Sequence, residues 1–228
     1  MSKKKNTLLR NTSILMAATI ISRVIGLLYR SPLGETIGNE GLGYYSTASN
    51  LYTILLLISS YSIPMAVSKI VSERLALKEY RNAHRVFRGA LLYAVIVGGI
   101  AALVAFFGGK FLLPYNQQNA ILALRVLAPT IFFSAILGVL RGYFQAHSTM
   151  MPTSISQIIE QIFNAAFSIG AAWFFIQQFA TNDTERAKFG AAGGTLGTGA
   201  GVLAGLCFML LVYGVNRKSI LRKAAKDI

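Results

Sequence analysis

The sequence predicts an all-α integral membrane protein, a six-transmembrane-helix bundle, and three observations predict it. Of 228 residues, 54% are hydrophobic and only 13% charged, and the mean hydropathy is +0.54; soluble domains carry about 25% charged residues. Six apolar stretches reach the roughly 20 residues that a helix needs to cross a ~30 Å hydrocarbon core. The basic residues fall between those stretches, chiefly in alternate connections, as in membrane proteins with Lys- and Arg-rich cytoplasmic loops. That distribution accounts for a net charge of +14 with no nucleic acid as partner.

The spans are placed near 11–31, 43–68, 86–108, 119–143, 153–179 and 189–214. Residues 1–10 form a basic cytoplasmic arm that looks like the n-region of a signal peptide. The apolar stretch behind it contains Arg23 and is followed by no small-residue cleavage pattern, so it reads as a retained helix. Short connections make neighbouring helices antiparallel. Sixteen Lys and Arg fall in the arm, the 69–88 connection, at Arg141 and in the basic segment 215–228; only Lys110, Arg186 and Lys188 fall on the other side. The imbalance puts both termini in the cytoplasm.

Residues 72–85, SERLALKEYRNAHR, alternate apolar and charged side chains at helical spacing. Two readings stay open, an amphipathic helix on anionic lipid and a solvated helical connector. Pro64, Pro129 and Pro152 stand where each can kink a span and free a backbone carbonyl. In the last span Gly193, Gly197, Gly201 and Gly205 recur every fourth residue, and the third holds Gly98, Gly99, Gly108 and Gly109. Such faces let helix backbones approach closely in lipid. Tight packing against a neighbour is the expectation, rather than a direct substrate role.

The charged groups at membrane depth carry the functional signal. In TIISRVIGLLYR, residues 19–30, Arg23 and Arg30 are seven positions apart, on one helical face and about 10 Å apart along the axis. The same face carries Thr12, Met16, Thr19 and Gly26. An arginine at mid-bilayer depth costs about 2.5–3.5 kcal/mol on insertion scales and usually faces a cavity or a partner. The fifth span brings Gln157, Glu160, Gln161, Asn164 and Ser168 to one face, and the second offers a weaker stripe of Ser46, Asn50, Thr53 and Ser60. Spans one, two and five are therefore expected to surround a hydrophilic cavity. Its candidate substrate contacts are Thr19, Arg23, Arg30, Asn50, Gln157, Glu160, Gln161 and Asn164.

Each has a plainer reading. Glu160 pairs structurally with Arg23 in one alternative, and in another it is a proton-linked switch. Arg30 and Arg125 are also read as snorkelling to the outer interface, and Arg141 counts first as a topology charge. An excess of arginine suits an anion, because the guanidinium fork matches phosphate oxygens. Other chemistries lack their residues. Cys207 is single, which excludes a disulfide framework within the chain, and His84 and His147 have no neighbours at metal-ligand spacing. No P-loop, Ser/His/Asp set or paired-carboxylate metal site is visible. The expectation is a protein that moves an anionic solute or head group, with no enzyme activity, metal or cofactor.

Three motifs add a resemblance. They are Ser22-Arg23-Val24-Ile25-Gly26 with Tyr29-Arg30 and then 38–43, GNEGLG; residues 63–69, IPMAVSK; and 141–145, RGYFQ, with Met151-Pro152-Thr153, Ser156-Gln157 and Glu160-Gln161. Together they resemble the stage V sporulation protein B and MurJ-type lipid II flippase branch of the MOP/MATE exporter superfamily. The resemblance implies the N-lobe of a MATE-like two-lobe transporter in the bacterial plasma membrane, with a second six-helix lobe beyond the present chain. It implies that Arg23, and with it Arg30, contacts the pyrophosphate of a lipid-linked glycan precursor, lipid II, while the polyprenyl tail stays among membrane lipids. Arginines in the second span of other members have no counterpart at depth here, where Asn50 and Ser60 are the polar groups. Rival readings are a flippase for another lipid-linked glycan (capsule, teichoic acid, spore cortex), a multidrug antiporter, and a non-transporting scaffold for cell-wall enzymes. Mostly cationic drugs would be repelled by two arginines.

Overall fold

The computed structural model describes residues 2–225, with side chains for 12–220 and for Arg222. The side chains of the basic arm and most of those in the tail lie outside that set. Every regular element among the described residues is helical: α1 (Ser2–Leu28), α2 (Arg30–Ser59), α3 (Ile63–Ala76), α4 (Tyr80–Leu112), a 3-10 turn (Tyr115–Ala120), α5 (Ile121–Ala146), α6 (Met151–Phe179) and α7 (Asp183–Ala225). Five of the helical stretches are long and apolar enough to cross a membrane. The chain is a multi-pass helical membrane protein.

The first crossing is the exception that explains itself. The apolar stretch Thr12–Leu28 is shorter than the others. Pro32 lacks an N–H, and its ring crowds the carbonyl four residues back, which loosens the helix near Leu28 and Tyr29. Two hydrogen bonds nonetheless carry the path across, from Tyr29 N–H to Ile25 O (3.2 Å) and from Leu33 N–H to Tyr29 O (3.1 Å). The helical run therefore continues to Ile37. There Gly38, at φ 75 and ψ 174, turns the corner; positive φ favours glycine because it has no Cβ to clash. The first glycine of GNEGLG thus has a backbone reason. Gly41 has a packing one, since a Cβ there would stand 3.2 Å from the Ala187 backbone.

The second expected span divides. α2 ends at Ser59, and α3 starts at Ile63 with Pro64 in its first turn, a position where the missing N–H costs nothing. Pro64 therefore starts a helix here. It also packs on α5, where a Cβ on Gly138 would meet its ring at 3.2 Å and one on Gly142 would meet its Cα at 2.9 Å. Two of the motifs, IPMAVSK and RGYFQ, are thus in mutual contact. Pro152 likewise opens α6, whereas Pro129 lies inside α5.

Residues 72–85 are not one helix. Lys78 adopts φ 60, α3 stops at Ala76 and α4 begins at Tyr80, so neither a continuous amphipathic helix nor a helical connector forms. Ile63, Val67 and Val71 on α3 are buried instead, in a core with Phe87 of α4 and Leu140 and Tyr143 of α5. Within 72–85 itself, Leu75 of α3 and Ala83 of α4 meet that same core from two separate helices.

α7 lies along α6, and the glycine ridge makes the contact. A Cβ on Gly193 would stand 2.5 Å from the Ala171 carbonyl oxygen; on Gly197 it would strike the backbone of Ser168, and on Gly201 the Glu160 carbonyl. Ser168 Oγ reaches across to donate to Gly194 O at 2.8 Å. At 43 residues α7 is about 65 Å long, longer than the membrane is thick. In α4, Gly98 meets Ala135 at 2.8 Å from its would-be Cβ, whereas Gly108 faces only its own helix.

Candidate functional site

α1 packs mainly on α6, and between them lies a hollow of about 630 Å³. α1 contributes Thr19, Ser22, Arg23, Gly26 and Leu27, and the α1–α2 junction adds Tyr29 and Arg30. Gln157, Glu160, Gln161 and Asn164 come from α6, and Arg141 comes from α5. The geometry follows from helical periodicity: 19, 23, 26 and 30 recur at steps of three and four, as do 157, 160, 161 and 164, so two polar stripes face each other. Gly26 faces Gln161 across the hollow, a Cβ there lying 3.4 Å from Gln161 Oε1, an ordinary contact. Thr19 Oγ1 is 3.4 Å from Gln157 Oε1 and also donates to Leu15 O at 2.8 Å.

The charges are not equivalent. Arg141 Nη2 is 2.7 Å from Glu160 Oε2, the side chains being 16% and 21% exposed, and Arg141 Nε donates to Ser156 Oγ at 2.9 Å. Ser156 in turn donates to Thr153 O at 2.8 Å. Arg23 and Arg30 are both exposed to the hollow. A second ion pair, Arg74–Glu79, lies at the turn between α3 and α4. The acid at membrane depth is therefore committed to Arg141, and the alternative in which it buries Arg23 does not hold. Ser22 Oγ, on the same wall, is buried with no protein hydrogen-bond partner, a loss of about 1–3 kcal/mol unless something polar from the hollow supplies one.

A second tier of bonds fixes the wall. The Tyr29 and Tyr45 hydroxyls are 2.8 Å apart and buried, which ties the α1–α2 junction to α2. Asn164 Oδ1 lies 3.0 Å from Ser168 Oγ and accepts from Thr198 Oγ1 at 3.5 Å, so α7 helps orient a residue of the hollow. Among the described residues no three His, Cys, Asp or Glu side chains gather as a metal site.

A family model described as "Polysaccharide biosynthesis protein" matches residues 8–224. The chain belongs to that family. Stage V sporulation protein B of Bacillus subtilis is 28% identical over 225 residues, covering 96% of this chain and 41% of the relative. Lipid II flippase MurJ of the same organism is 28% identical over 182 residues, 75% of this chain and 34% of the relative. An uncharacterized membrane protein, YabM, also of B. subtilis, is 23% identical over 212 residues, 92% and 37%. The chain thus spans about two fifths or less of the length of these relatives.

Seven of the eight residues singled out from the sequence meet in the hollow. Asn50 does not. It is exposed on α2, outside the lining, because α2 turns Tyr45, Ala48 and Tyr52 toward the bundle and its polar stripe elsewhere. No residue of the expected second span, 43–68, lines the hollow; α2 reaches it through Arg30, its first residue, which falls in the expected first span. The sequence reading left out Ser22, Leu27, Tyr29 and Arg141. Ser22 was recoverable, since it lies four residues before Gly26 on an adjoining row of the same helix. Arg141 was not, because its pairing with Glu160 depends on how α5 and α6 sit against α7. Arg125 lies elsewhere, 5.8 Å from the Phe106 ring centroid, donating to Phe106 O at 3.3 Å.

Proposed function

We propose that this chain is the first, six-helix lobe of a flippase. The protein would move an undecaprenyl-pyrophosphate-linked cell-wall precursor, lipid II in the first instance, from the inner to the outer leaflet of the bacterial plasma membrane. One observation carries the proposal: two arginines without acidic partners face a hollow at membrane depth, while the third arginine there is neutralised by Glu160. Such a site retains net positive charge for an anion, and guanidinium groups fit phosphate oxygens. Arg23 and Arg30 contact the pyrophosphate; Thr19, Gln157, Gln161 and Asn164 offer neutral hydrogen bonds beside it. The polyprenyl tail remains in lipid, and a second lobe closes over the head group in an alternating-access cycle. Both termini of the chain lie in the cytoplasm, as the sixteen-to-three charge imbalance supports. No bond of the substrate is made or broken.

A second reading keeps the mechanism and changes the cargo to another lipid-linked glycan. The comparisons give lipid II no precedence, since a relative whose name states no cargo matches at the same identity and over more of this chain. The deciding experiment places the full-length gene in a strain depleted of its lipid II flippase. Rescue is expected from the unaltered protein and none from Arg23→Ala at equal membrane abundance. Growth of the Arg23→Ala strain at the normal rate sinks the phosphate-contact role. Failure of the unaltered protein to rescue points to the second cargo.

A further inference from the structure

Arg125 stands away from the hollow and has no part in the function proposed above. It stands instead beside a second depression. α4 packs chiefly on α5, as α1 packs on α6, and along the α4–α5 seam runs an apolar groove of about 270 Å³. The groove follows from residue size. Gly99 and Ala102 of α4 and Ala128 of α5 leave room, while Leu103, Phe106 and Phe132 flank it. A Cβ on Gly99 would find nothing nearer than Phe132, at 3.9 Å, so the room is open. One end of the groove is charged. Residues 125, 128, 129 and 132 recur at helical steps, which puts Arg125 on the groove-lining face of α5, one turn from Pro129. Its guanidinium is held there by a groove wall: Nε donates to Phe106 O at 3.3 Å, and the group lies 5.8 Å from the Phe106 ring centroid. Lys110 follows Phe106 by one turn on α4 and is exposed, a second cation at the same end. Lys110 is in the last turn of α4, and Arg125 is the fifth residue of α5. Both therefore lie near the ends of their spans, at the depth of lipid head groups.

We propose that this groove holds one acyl chain of an anionic phospholipid, with the phosphate of the same molecule on Arg125 and Lys110. Apolar surface alone would select no lipid, because chains in a bilayer gain nothing hydrophobic by leaving one another for protein. A depression with room for a chain adds close dispersion contact on several sides. The charged end adds the choice of head group. A guanidinium pairs with phosphate oxygens, and an ammonium adds a point charge. Phosphatidylglycerol offers a phosphate and no cation; phosphatidylcholine brings its own cation against both side chains. Ile96, Ile100, Leu103 and Phe107 are exposed on α4 at helical spacing, a lipid-facing stripe beside the groove. Bilayer is accordingly the cover this side of the bundle fits, in contrast to the polar wall that α1 and α6 share. A lipid seated this way bridges the α4–α5 seam and stabilises the folded protein by mass action. The inference stands apart from the anion site of the hollow. Only the leaflet depends on the orientation proposed above, which makes it the outer one.

The test titrates full-length protein in mild detergent with phosphatidylglycerol and with phosphatidylcholine of the same chains. Bound lipid is counted by native mass spectrometry, and the melting temperature is followed alongside. The unaltered protein should bind phosphatidylglycerol more tightly and gain more melting temperature from it. Arg125→Gln combined with Lys110→Gln should weaken phosphatidylglycerol binding roughly fivefold, the order expected of partly exposed ion pairs, and leave phosphatidylcholine binding as it was. Gly99→Leu puts a side chain into the groove and should weaken both lipids. A charge variant that binds phosphatidylglycerol as the parent does overturns the inference. So does a monodisperse Gly99→Leu protein that binds both lipids as before, a result that would put protein over the seam. The charge variant alters two exposed side chains, so it decides even if Gly99→Leu fails to fold. Arg23→Ala, in the hollow, should leave this binding intact. Loss there in place of loss at Arg125 would assign the phospholipid to the hollow and overturn the inference.

Discussion

The two sides of α6 are unlike. Toward α7 it meets a ridge of glycines so close that its backbone carbonyls at Glu160 and Ala171 occupy the space a Cβ would need. Toward α1 it meets arginines, a threonine and a hollow of about 630 Å³. One side is dry and built from the absence of side chains; the other is built from polar side chains held apart. The contrast suggests how a membrane helix can carry a row of polar groups without losing its place. Backbone packing against α7 anchors it, and the face toward α1 is left free to hold something else. Close packing is the main force available, since lipid supplies no hydrophobic drive between helices.

Substitutions at the two sides should differ accordingly. The largest effect is expected from Gly201→Leu, which forces a side chain into the Glu160 carbonyl and Asn164; a loss of about 3 kcal/mol or more should appear as a lower melting temperature and poor recovery in detergent. A Gly201→Leu protein as stable as the parent would show that α6 and α7 are not seated this way. Ser168→Ala removes the hydrogen bond to Gly194 O across the same seam and should cost about 1 kcal/mol, measurable by thermal unfolding of the purified full-length protein. Gly170→Ala, on the same helix but with nothing within 4 Å of the added Cβ, should stabilise by about 0.5 kcal/mol through helix propensity alone. Destabilisation there would mean that the face is covered by another part of the assembly.

The smallest effect is expected far from α6, at the turn between α3 and α4. Hydrogen bonds from Asn82 and Arg74 hold the Glu79 carboxyl below its ordinary value. A carboxylate with a lowered folded pKa adds stability above the unfolded value and loses it as pH falls through the folded one. The group is open to solvent and screened. Glu79→Gln should therefore lower the melting temperature only slightly at pH 7, a difference that disappears as pH drops below the usual glutamate range. A clear loss at neutral pH would reveal a structural role for this turn.

What could be read from residues alone was whatever repeats with the period of a helix. The 54% apolar composition and its division into long runs determined a helical membrane bundle. Steps of three and four placed Arg23 beside Thr19 and Gly26, set Gln157 through Asn164 on one face, and marked Gly193 to Gly205 as a ridge. These are properties of single helices, so neighbours in sequence suffice to find them. Whatever depends on how two helices sit against each other was decided by the tertiary structure. The partner of Glu160 is Arg141 because α5 and α6 both pack on α7, which brings the two side chains together. Asn50 is outside the hollow because α2 is rotated to bury Tyr45 and Ala48, and residues 72–85 break at Lys78 so that Leu75 and Ala83 meet one core from two helices. Rotation and depth are relations between helices, and the periodicity of one helix contains neither.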